Sequence, residues 1–159
     1  MLDFEAFFAR EYEPVTRALT LALGDRRSAE DAAQEGFARA LNSWSRVKDM
    51  DRPAAWVYVV AMRHERRRTL RDRMPLPVHR RARRDEPAEV ENRVLVTALL
   101  SQLTPRQRMA VVLRYHADLS LQEVAKALGC RVGTAKATLH QSLTRLNNAI
   151  ERDGSDARL

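Results

Sequence analysis

The stretch TPRQRMAVVLRYHADLSLQEVAKALGCRVGTAKATLHQSLTRL, residues 104–146, decides the fold of this chain. Within it, Ser120 and Glu123 have the spacing of a capping box, which predicts a helix that begins directly after Ser120. Apolar residues follow at helical spacing, and Gly129 stands where a left-handed residue would end that helix. After a short turn a longer helix follows, with leucines on one face. Together with a preceding helix that Thr104-Pro105 would start, this order predicts a helix-turn-helix.

The longer helix carries cations and hydrogen-bonding side chains away from its leucines. In a helix-turn-helix such residues lie in the major groove, where phosphate contacts position the helix and base contacts specify the sequence. The candidates for contact are Arg131, Thr134, Lys136, Thr138, His140 and Gln141. The alternative is a small helical module with a solvated polar face. We favour DNA binding because the whole chain is strongly basic.

The charge of the chain comes almost wholly from arginine. Of its 159 residues, 28 are Lys or Arg and 21 are Asp or Glu, which gives a net charge of +7, and only three of the basic residues are lysine. An arginine-rich chain is suited to bind nucleic acid, because the guanidinium group makes forked contacts to phosphate and stacks on rings.

The sequence also indicates a compartment. No stretch approaches the ~20 apolar residues of a membrane span, and the first residues lack the apolar core of a secretory signal. The single Cys130 cannot form an internal disulfide. We therefore expect a cytoplasmic protein with no membrane association.

The distribution of glycine and proline predicts the fold class. Glycine is scarce, proline falls at boundaries, and β-branched alternation is absent, which indicates an all-α protein. We expect two small helical domains joined by a flexible linker, the C-terminal one being the helix-turn-helix. The predicted ranges are 1–73 for the first domain, 74–92 for the linker, 93–152 for the second domain and 153–159 for a frayed tail.

Individual residues predict where the helices begin. Asp3 is expected to cap the first helix, and Pro14 to end it, kink it or start the next. Ser28 is expected to open another helix, a further one follows Pro53, and the second domain would begin with a helix at Arg93. The predicted core face of that last helix comprises Val94, Leu95, Ala98, Leu99 and Leu103.

Several short motifs, in their order and spacing, resemble the extracytoplasmic-function sigma factors of bacterial RNA polymerase. Residues 29–37, AEDAAQEGF, are similar to the family's AED..Q..F signature, and residues 52–56, RPAAW, to its RP..W signature. In the second domain the matching motifs are LTPRQR (103–108), EVA (123–125), LG (128–129) and GTAK (133–136). The resemblance covers nearly the whole chain.

This resemblance implies a function and a set of partners. It implies a protein that binds core RNA polymerase, recognises the −10 and −35 promoter elements through its two domains, and helps to separate the strands. The DNA partner would be both double-stranded and melted. Members of the family are commonly restrained by an anti-sigma factor, which is a further candidate partner. We also expect no larger inhibitory region before the first helix.

A stripe on the predicted helix near residue 30 is the candidate polymerase-binding site. Its residues fall at positions i, i+3, i+4 and i+7, which places them on one face. They are Asp31, Gln34, Glu35 and Ala38. Ordinary solvation of a helix face is the alternative, but in the family this stripe docks on a coiled coil of the polymerase clamp. Gly36 is costly inside a helix, and close approach by the partner is a plausible reason for it.

Residues 44–73 combine aromatic rings with many cations, as a site that holds a single strand requires. The rings are those of Trp44, Trp56 and Tyr58. By resemblance, the −10 element would be contacted by Arg46, Lys48, Arg52, Trp56, Arg63, Arg66 and Arg67. For Trp56 a place in the core is the stronger alternative, because it lies on an apolar face.

The sequence departs from the family pattern at several candidate positions. Arg63 replaces a frequent asparagine, and Val59 a frequent arginine. Arg131 stands where the family prefers a serine cap, and Thr138 and Gln141 stand where arginines are usual. We therefore do not carry over individual base contacts.

Two other classes of function remain to be compared. For an enzyme, the sequence offers no catalytic constellation, no metal-ligand spacing and no phosphate-binding glycine loop, so we expect no catalytic residues, no metal and no cofactor. The stronger rival is a stand-alone helix-turn-helix regulator of transcription. Such regulators usually dimerise, and this interpretation leaves residues 1–73 unexplained.

Overall fold

The computed structural model describes residues 3–72 and 87–156, and these two segments contain helices and connecting turns but no strand. The predicted all-α fold is confirmed, and the expected flexible linker lies mostly outside the described residues. The helices are α1 (Phe4–Leu23), α2 (Arg26–Asn42), α3 (Trp44–Val47), α4 (Pro53–Asp72), α5 (Pro87–Leu100), α6 (Pro105–Val111), α7 (Leu121–Leu128) and α8 (Val132–Asp156).

The first domain is built on α1, α2 and α4, with α2 packed between the other two. Aromatic rings fill one end of this core. Their centroids lie 4.8–6.3 Å apart, and the rings belong to Phe4, Phe7, Phe8, Tyr12, Phe37 and Trp44. Burying a side chain such as Phe7, which is wholly inaccessible, stabilises the fold by about 1.5–3 kcal/mol. The ring cluster therefore anchors the N-terminal half of α1.

Two expectations about the first domain were wrong. Pro14 does not divide α1, which runs unbroken through it. Buried side chains before and after it, such as Phe7 and Leu19, share one core, and this burial offsets the ~3 kcal/mol that an interior proline costs. Moreover, α2 is capped by Asp25 rather than by Ser28, because the Asp25 carboxylate accepts the backbone N–H of Ser28 at 3.0 Å.

The second domain contains the predicted helix-turn-helix. The capping box is confirmed: the Ser120 hydroxyl accepts the backbone N–H of Glu123 at 3.2 Å, and the Glu123 carboxylate accepts that of Ser120 at 2.7 Å. A second capping box joins Thr104 and Gln107 at the start of α6. Gly129 ends α7 with φ +66°, in the left-handed region that favours glycine. A π-helical turn, Val112–His116, extends α6 towards α7.

The helix before the helix-turn-helix differs from expectation. α5 begins at Pro87 rather than at Arg93, because proline suits the first turn of a helix, where its missing N–H has no partner to lose. Val94 and Leu95 were expected in the core but are 63% and 58% exposed. α8 continues to Asp156 and so includes part of the predicted tail.

The two domains pack against each other. α4 contacts α7, and α1 contacts both α6 and the π-helical turn. The buried apolar residues of both domains form one continuous core. Arg108 of α6 crosses this boundary, because its Nε donates to the Ala22 carbonyl at 3.2 Å. No residue pattern in the sequence predicted this arrangement.

Candidate polymerase and nucleic-acid interfaces

The candidate polymerase-binding stripe lies on the outer face of α2. Asp31, Gln34 and Ala38 are exposed and Glu35 is half-buried, whereas the opposite face of the helix is buried. Both carboxylates of the stripe have partners within the chain. Asp31 Oδ2 lies 3.2 Å from His64 Nε2, and Glu35 accepts from Arg39 Nε at 2.5 Å. Partly exposed contacts of this kind contribute about 0–1 kcal/mol, so both carboxylates can exchange partners at little cost.

Gly36 has a structural role inside the protein. A Cβ built on it would lie 3.0 Å from both Cγ1 and the carbonyl oxygen of Val57. The residue is buried between α2 and α4. The expectation that a partner protein approaches Gly36 was therefore wrong, because α4 of the same domain makes that approach.

The candidate −10 residues lie on α4 and on the segment before it. Arg46, Arg52, Arg63 and Arg67 are exposed, and Lys48, Trp56 and Arg66 are half-buried. At about 100° per residue, Arg52, Trp56, Arg63 and Arg67 share the exposed face of α4. Arg66 lies on the flank of α4 that faces α7.

Two of the three aromatic rings are engaged in the packing of the first domain. Trp44 packs against Phe7 with centroids 5.0 Å apart, and Tyr58 is only 6% exposed. Burial raises the pKa of Tyr58 above its ordinary value, and the charge of Glu11 raises it further. Trp56 also packs partly against the core, so only part of its ring remains for stacking.

A cavity of about 200 Å³ opens beside the exposed face of α4. Its lining is strongly cationic and comprises Arg39, Val60, Arg63, His64, Arg67, Arg68 and Arg71. Arg68 is held by Glu65, at 2.8 Å from Nη2 to Oε1. Within the described ranges no carboxylate pairs with Arg63, Arg67 or Arg71, which recur at one-turn spacing. Sequence reasoning did not select Arg39, because only the packing of α2 on α4 brings it to this face. It counted Arg71 among the cations of residues 44–73 but did not assign it to the −10 element.

The candidate −35 residues lie in and just before the first turns of α8. All are exposed except Thr138, which is half-buried and whose hydroxyl donates to the Thr134 carbonyl at 2.9 Å. Buried Ala135, Leu139 and Ser142 mark the opposite face. The helical repeat divides the candidates between two flanks: Thr134, Thr138 and Gln141 lie on one, and Lys136 and His140 on the other.

Two of the candidate −10 residues contact the helix-turn-helix. Arg52 Nη1 lies 3.2 Å from Glu123 Oε2. Arg66 lies against Gly129, where an added Cβ would come within 1.9 Å of its Nη1. Val59, where the family often has arginine, is 8% exposed.

Across residues 3–72 and 87–156, no group of His, Cys, Asp and Glu side chains could hold a metal ion. Among the same residues, no helix is both long and apolar enough to cross a bilayer.

Comparison with known proteins defines the class of this fold. Residues 7–74 match the family model of sigma-70 region 2, and residues 93–146 match that of sigma-70, region 4. The first match covers the domain with the α2 stripe and the cationic face of α4. The second covers the helix-turn-helix. The chain thus has the two-domain arrangement of a sigma-70-type factor.

Curated relatives show which group of sigma factors the chain belongs to. The RNA polymerase sigma-E factor of Streptomyces coelicolor is 30% identical, over 99% of this chain and 92% of its own length. The ECF RNA polymerase sigma factor SigC of Mycobacterium tuberculosis is 30% identical over 94% and 84%. The chain therefore belongs to the extracytoplasmic-function sigma factors, which direct promoter-specific initiation of transcription by RNA polymerase.

Solved structures share the fold. The sigma factor RpoE of Bartonella quintana, in complex with the anti-sigma factor NepR, aligns with a TM-score of 0.66 at 18% identity, over 94% of this chain and 97% of that one. CnrH, in complex with the cytosolic domain of CnrY, aligns with a TM-score of 0.63 at 21% identity, over 94% and 88%.

Proposed function

We propose that this sigma factor uses three separate faces for its three tasks. The α2 stripe Asp31, Gln34, Glu35 and Ala38 would dock on core polymerase. The cationic face of α4 would hold the melted −10 element, and the first turns of α8 would read the −35 element. The domain ranges that carry these tasks are 1–73 and 93–152. Supporting this assignment, most residues of each face are exposed, while the residues opposite them are buried.

The observation that carries the proposal for the −10 element is the row of arginines on α4. Arg63, Arg67 and Arg71 line a cavity together with Arg39 of α2. Guanidinium groups without a carboxylate partner bind phosphate strongly, in forked hydrogen bonds. We infer that the phosphodiester backbone of a single strand follows this row. The exposed part of the Trp56 ring, one turn from Val60, would then stack on a base.

For the −35 element, α8 would lie in the major groove. Its two flanks carry different chemistry: Lys136 and His140 suit phosphate, whereas Thr134, Thr138 and Gln141 suit base edges. Because the hydroxyl of Thr138 is already bonded within the helix, Gln141 is the better candidate for a bidentate contact to adenine.

The remaining features of the proposal follow from the family. We infer that the chain acts in the cytoplasm, has no catalytic activity of its own and needs no cofactor. An anti-sigma factor is a further candidate partner, since the sigma factor RpoE of Bartonella quintana, which has a similar fold, was determined in complex with one.

A binding assay with core polymerase tests the docking stripe. The variant Asp31→Arg/Glu35→Arg should no longer co-purify with core enzyme, because it places two cations where the partner meets two anions. The matched control is Glu151→Arg/Asp153→Arg, which makes the same charge change on exposed residues of α8. Circular dichroism checks that both variants fold. Equal co-purification of both variants would contradict the assignment.

A stand-alone regulator remains the second candidate function, favoured by the helix-turn-helix taken alone. It predicts that the purified chain binds specific duplex DNA equally well with and without core polymerase. The sigma factor assignment predicts sequence-specific binding only in the presence of core enzyme. An electrophoretic mobility assay with both mixtures separates the two.

A further inference from the structure

The cationic cavity beside α4 is lined by two helices. Arg63, Arg67 and Arg71 belong to α4 and recur at intervals of one turn, about 6 Å along the helix axis. Arg39 belongs to α2, and the half-buried Val60 adds an apolar group to the lining. A strand that follows α4 needs only the α4 side. The arginine on α2 therefore indicates a ligand that is contacted from both helices.

The charge of the lining indicates that this ligand is an anion. Six basic side chains line the cavity, those of Arg39, Arg63, His64, Arg67, Arg68 and Arg71. Three of them contact a carboxylate: Arg39 contacts Glu35, His64 contacts Asp31, and Arg68 contacts Glu65. For the other three, all arginines of α4, the part of the chain that the structure describes provides no ion pair. These three guanidinium groups leave three positive charges to be balanced.

The size of the cavity limits the ligand. Its volume is about 200 Å³, below the ~300–1,000 Å³ of sites that hold drug-sized molecules. Guanidinium groups bind phosphate through parallel hydrogen bonds, which suit its geometry. Because each linked phosphate carries at least one negative charge, a chain of three phosphates would balance the three arginines. A compact oligophosphate thus fits the cavity in both size and charge.

We propose that this cavity is a binding site for a compact oligophosphate, either free tripolyphosphate or the triphosphate group of a nucleotide. The ligand would lie between Arg39 of α2 and the arginine row of α4, and would compete with the melted −10 strand for that row. The competition rests on the proposed function of the row, whereas oligophosphate binding itself does not. The site would let free oligophosphate oppose the holding of the strand.

Two carboxylates of the docking stripe lie at the edge of this site and compete with the ligand for cations. Glu35 accepts from Arg39 Nε at 2.5 Å, and Asp31 Oδ2 lies 3.2 Å from His64 Nε2. Both contacts are partly exposed and therefore contribute little. A bound oligophosphate would take Arg39 from Glu35 at little cost, and removal of the Glu35 charge should strengthen oligophosphate binding.

Isothermal titration calorimetry of the full chain with tripolyphosphate tests the site. We expect one molecule to bind per chain. Arg39→Gln and Arg67→Gln should each weaken binding about tenfold, because each removes charge-assisted hydrogen bonds. Arg17→Gln, an exposed change on α1, should leave the affinity unchanged, and circular dichroism checks that all three variants fold. Equal weakening in the three variants, or no saturable binding to the wild type, would overturn the site.

Glu35→Gln provides a test in the opposite direction. It frees Arg39 and should tighten tripolyphosphate binding about two- to fivefold, the range for a partly exposed ion pair. The matched control is Glu11→Gln, which makes the same charge change in a pair on α1, where Glu11 accepts from Arg10 Nε at 2.7 Å. The arginines of the two pairs are similarly exposed, at 53% and 58%. The same affinity in both variants would overturn the role of Arg39.

ATP in the same assay, without magnesium ion, distinguishes the two sources of oligophosphate. An affinity equal to that of tripolyphosphate supports the triphosphate group of a nucleotide as the ligand. Much weaker binding of ATP supports the free anion.

A fluorescent oligothymidylate of about twelve nucleotides, within the usual site sizes, tests the competition. Tripolyphosphate should displace it from the wild type at the concentrations that fill the cavity. Simultaneous binding of both ligands would overturn the competition. If tripolyphosphate binds as expected but the oligonucleotide does not bind at all, the proposed function of the arginine row fails, and the competition fails with it, while the oligophosphate site stands.

Discussion

Gly36 of α2 and Val57 of α4 are in such close contact that a Cβ on Gly36 would meet two atoms of Val57 at 3.0 Å. One of these is a backbone carbonyl, which cannot rotate away. Gly36→Ala should therefore lower the free energy of unfolding by about 1–3 kcal/mol, the usual cost of overpacking. Chemical denaturation measures it.

The control for this prediction is Gly133→Ala. Gly133 also lies in a helix, but nothing lies within 4 Å of a Cβ built on it. The change should therefore raise stability by up to about 1 kcal/mol, the helix preference of alanine over glycine. If both variants are stabilised, the contact between α2 and α4 is looser than described.

Thr16 provides a test of the core. It is fully buried, and its hydroxyl has no hydrogen-bond partner among the described residues. Thr16→Val keeps the shape and removes the unpaired hydroxyl, so it should stabilise the fold by about 1 kcal/mol. Thr16→Ser keeps the hydroxyl, loses a methyl group and should destabilise it. A destabilised valine variant would show that the hydroxyl has a partner.

Tyr58 predicts a dependence of stability on pH. Its pKa is raised in the folded protein, whereas in the unfolded chain it is about 10. The folded state therefore keeps the neutral form. The preference of the folded state for neutral Tyr58 stabilises the fold fully below about pH 10. Above that pH the free energy of unfolding falls by up to about 1.4 kcal/mol per pH unit.

Urea titrations at a series of alkaline pH values measure this loss. Tyr58→Phe should flatten the dependence above about pH 10. The control, Tyr115→Phe, changes a tyrosine that is 58% exposed and should leave the dependence as in the wild type. The burial of Tyr58 would be contradicted if the two variants behaved alike.

The row of arginines on α4 predicts a salt effect. Each contact between a cation and a phosphate of a single strand contributes about 0.7 to the slope of log K against log salt concentration. Arg63→Gln and Arg67→Gln should each reduce the slope for single-stranded binding by about that amount. Arg17→Gln, an exposed change on α1, should not. Unchanged slopes in all three would place the strand elsewhere.

Much of the second domain could be predicted because its signals are local. The capping box of Ser120 and Glu123 and the left-handed Gly129 are decided within a few residues of the chain. The start of α2 was predicted wrongly, at Ser28, since Asp25 and Ser28 can both cap a helix. The choice depends on which side chain reaches a free N–H, and there the hydroxyl of Ser28 donates to Asp25 instead.

Features that depend on distant parts of the chain could not be predicted. Pro14 breaks a helix unless tertiary burial offsets its cost, and the ring cluster that does so includes Phe37 and Trp44. Likewise, the role of Gly36 depends on Val57, and that of Arg108 on the end of α1. The cationic cavity needs Arg39 beside Arg67, which no spacing within α4 reveals.

Transcription of fragmented genomic DNA by core RNA polymerase, with and without this protein, tests the central claim most directly, because it requires no known promoter. Sequencing of the transcript 5′ ends identifies the start sites. We predict new start sites that appear only with the protein and share −10 and −35 elements at a fixed spacing. The same set of start sites in both reactions would contradict the account.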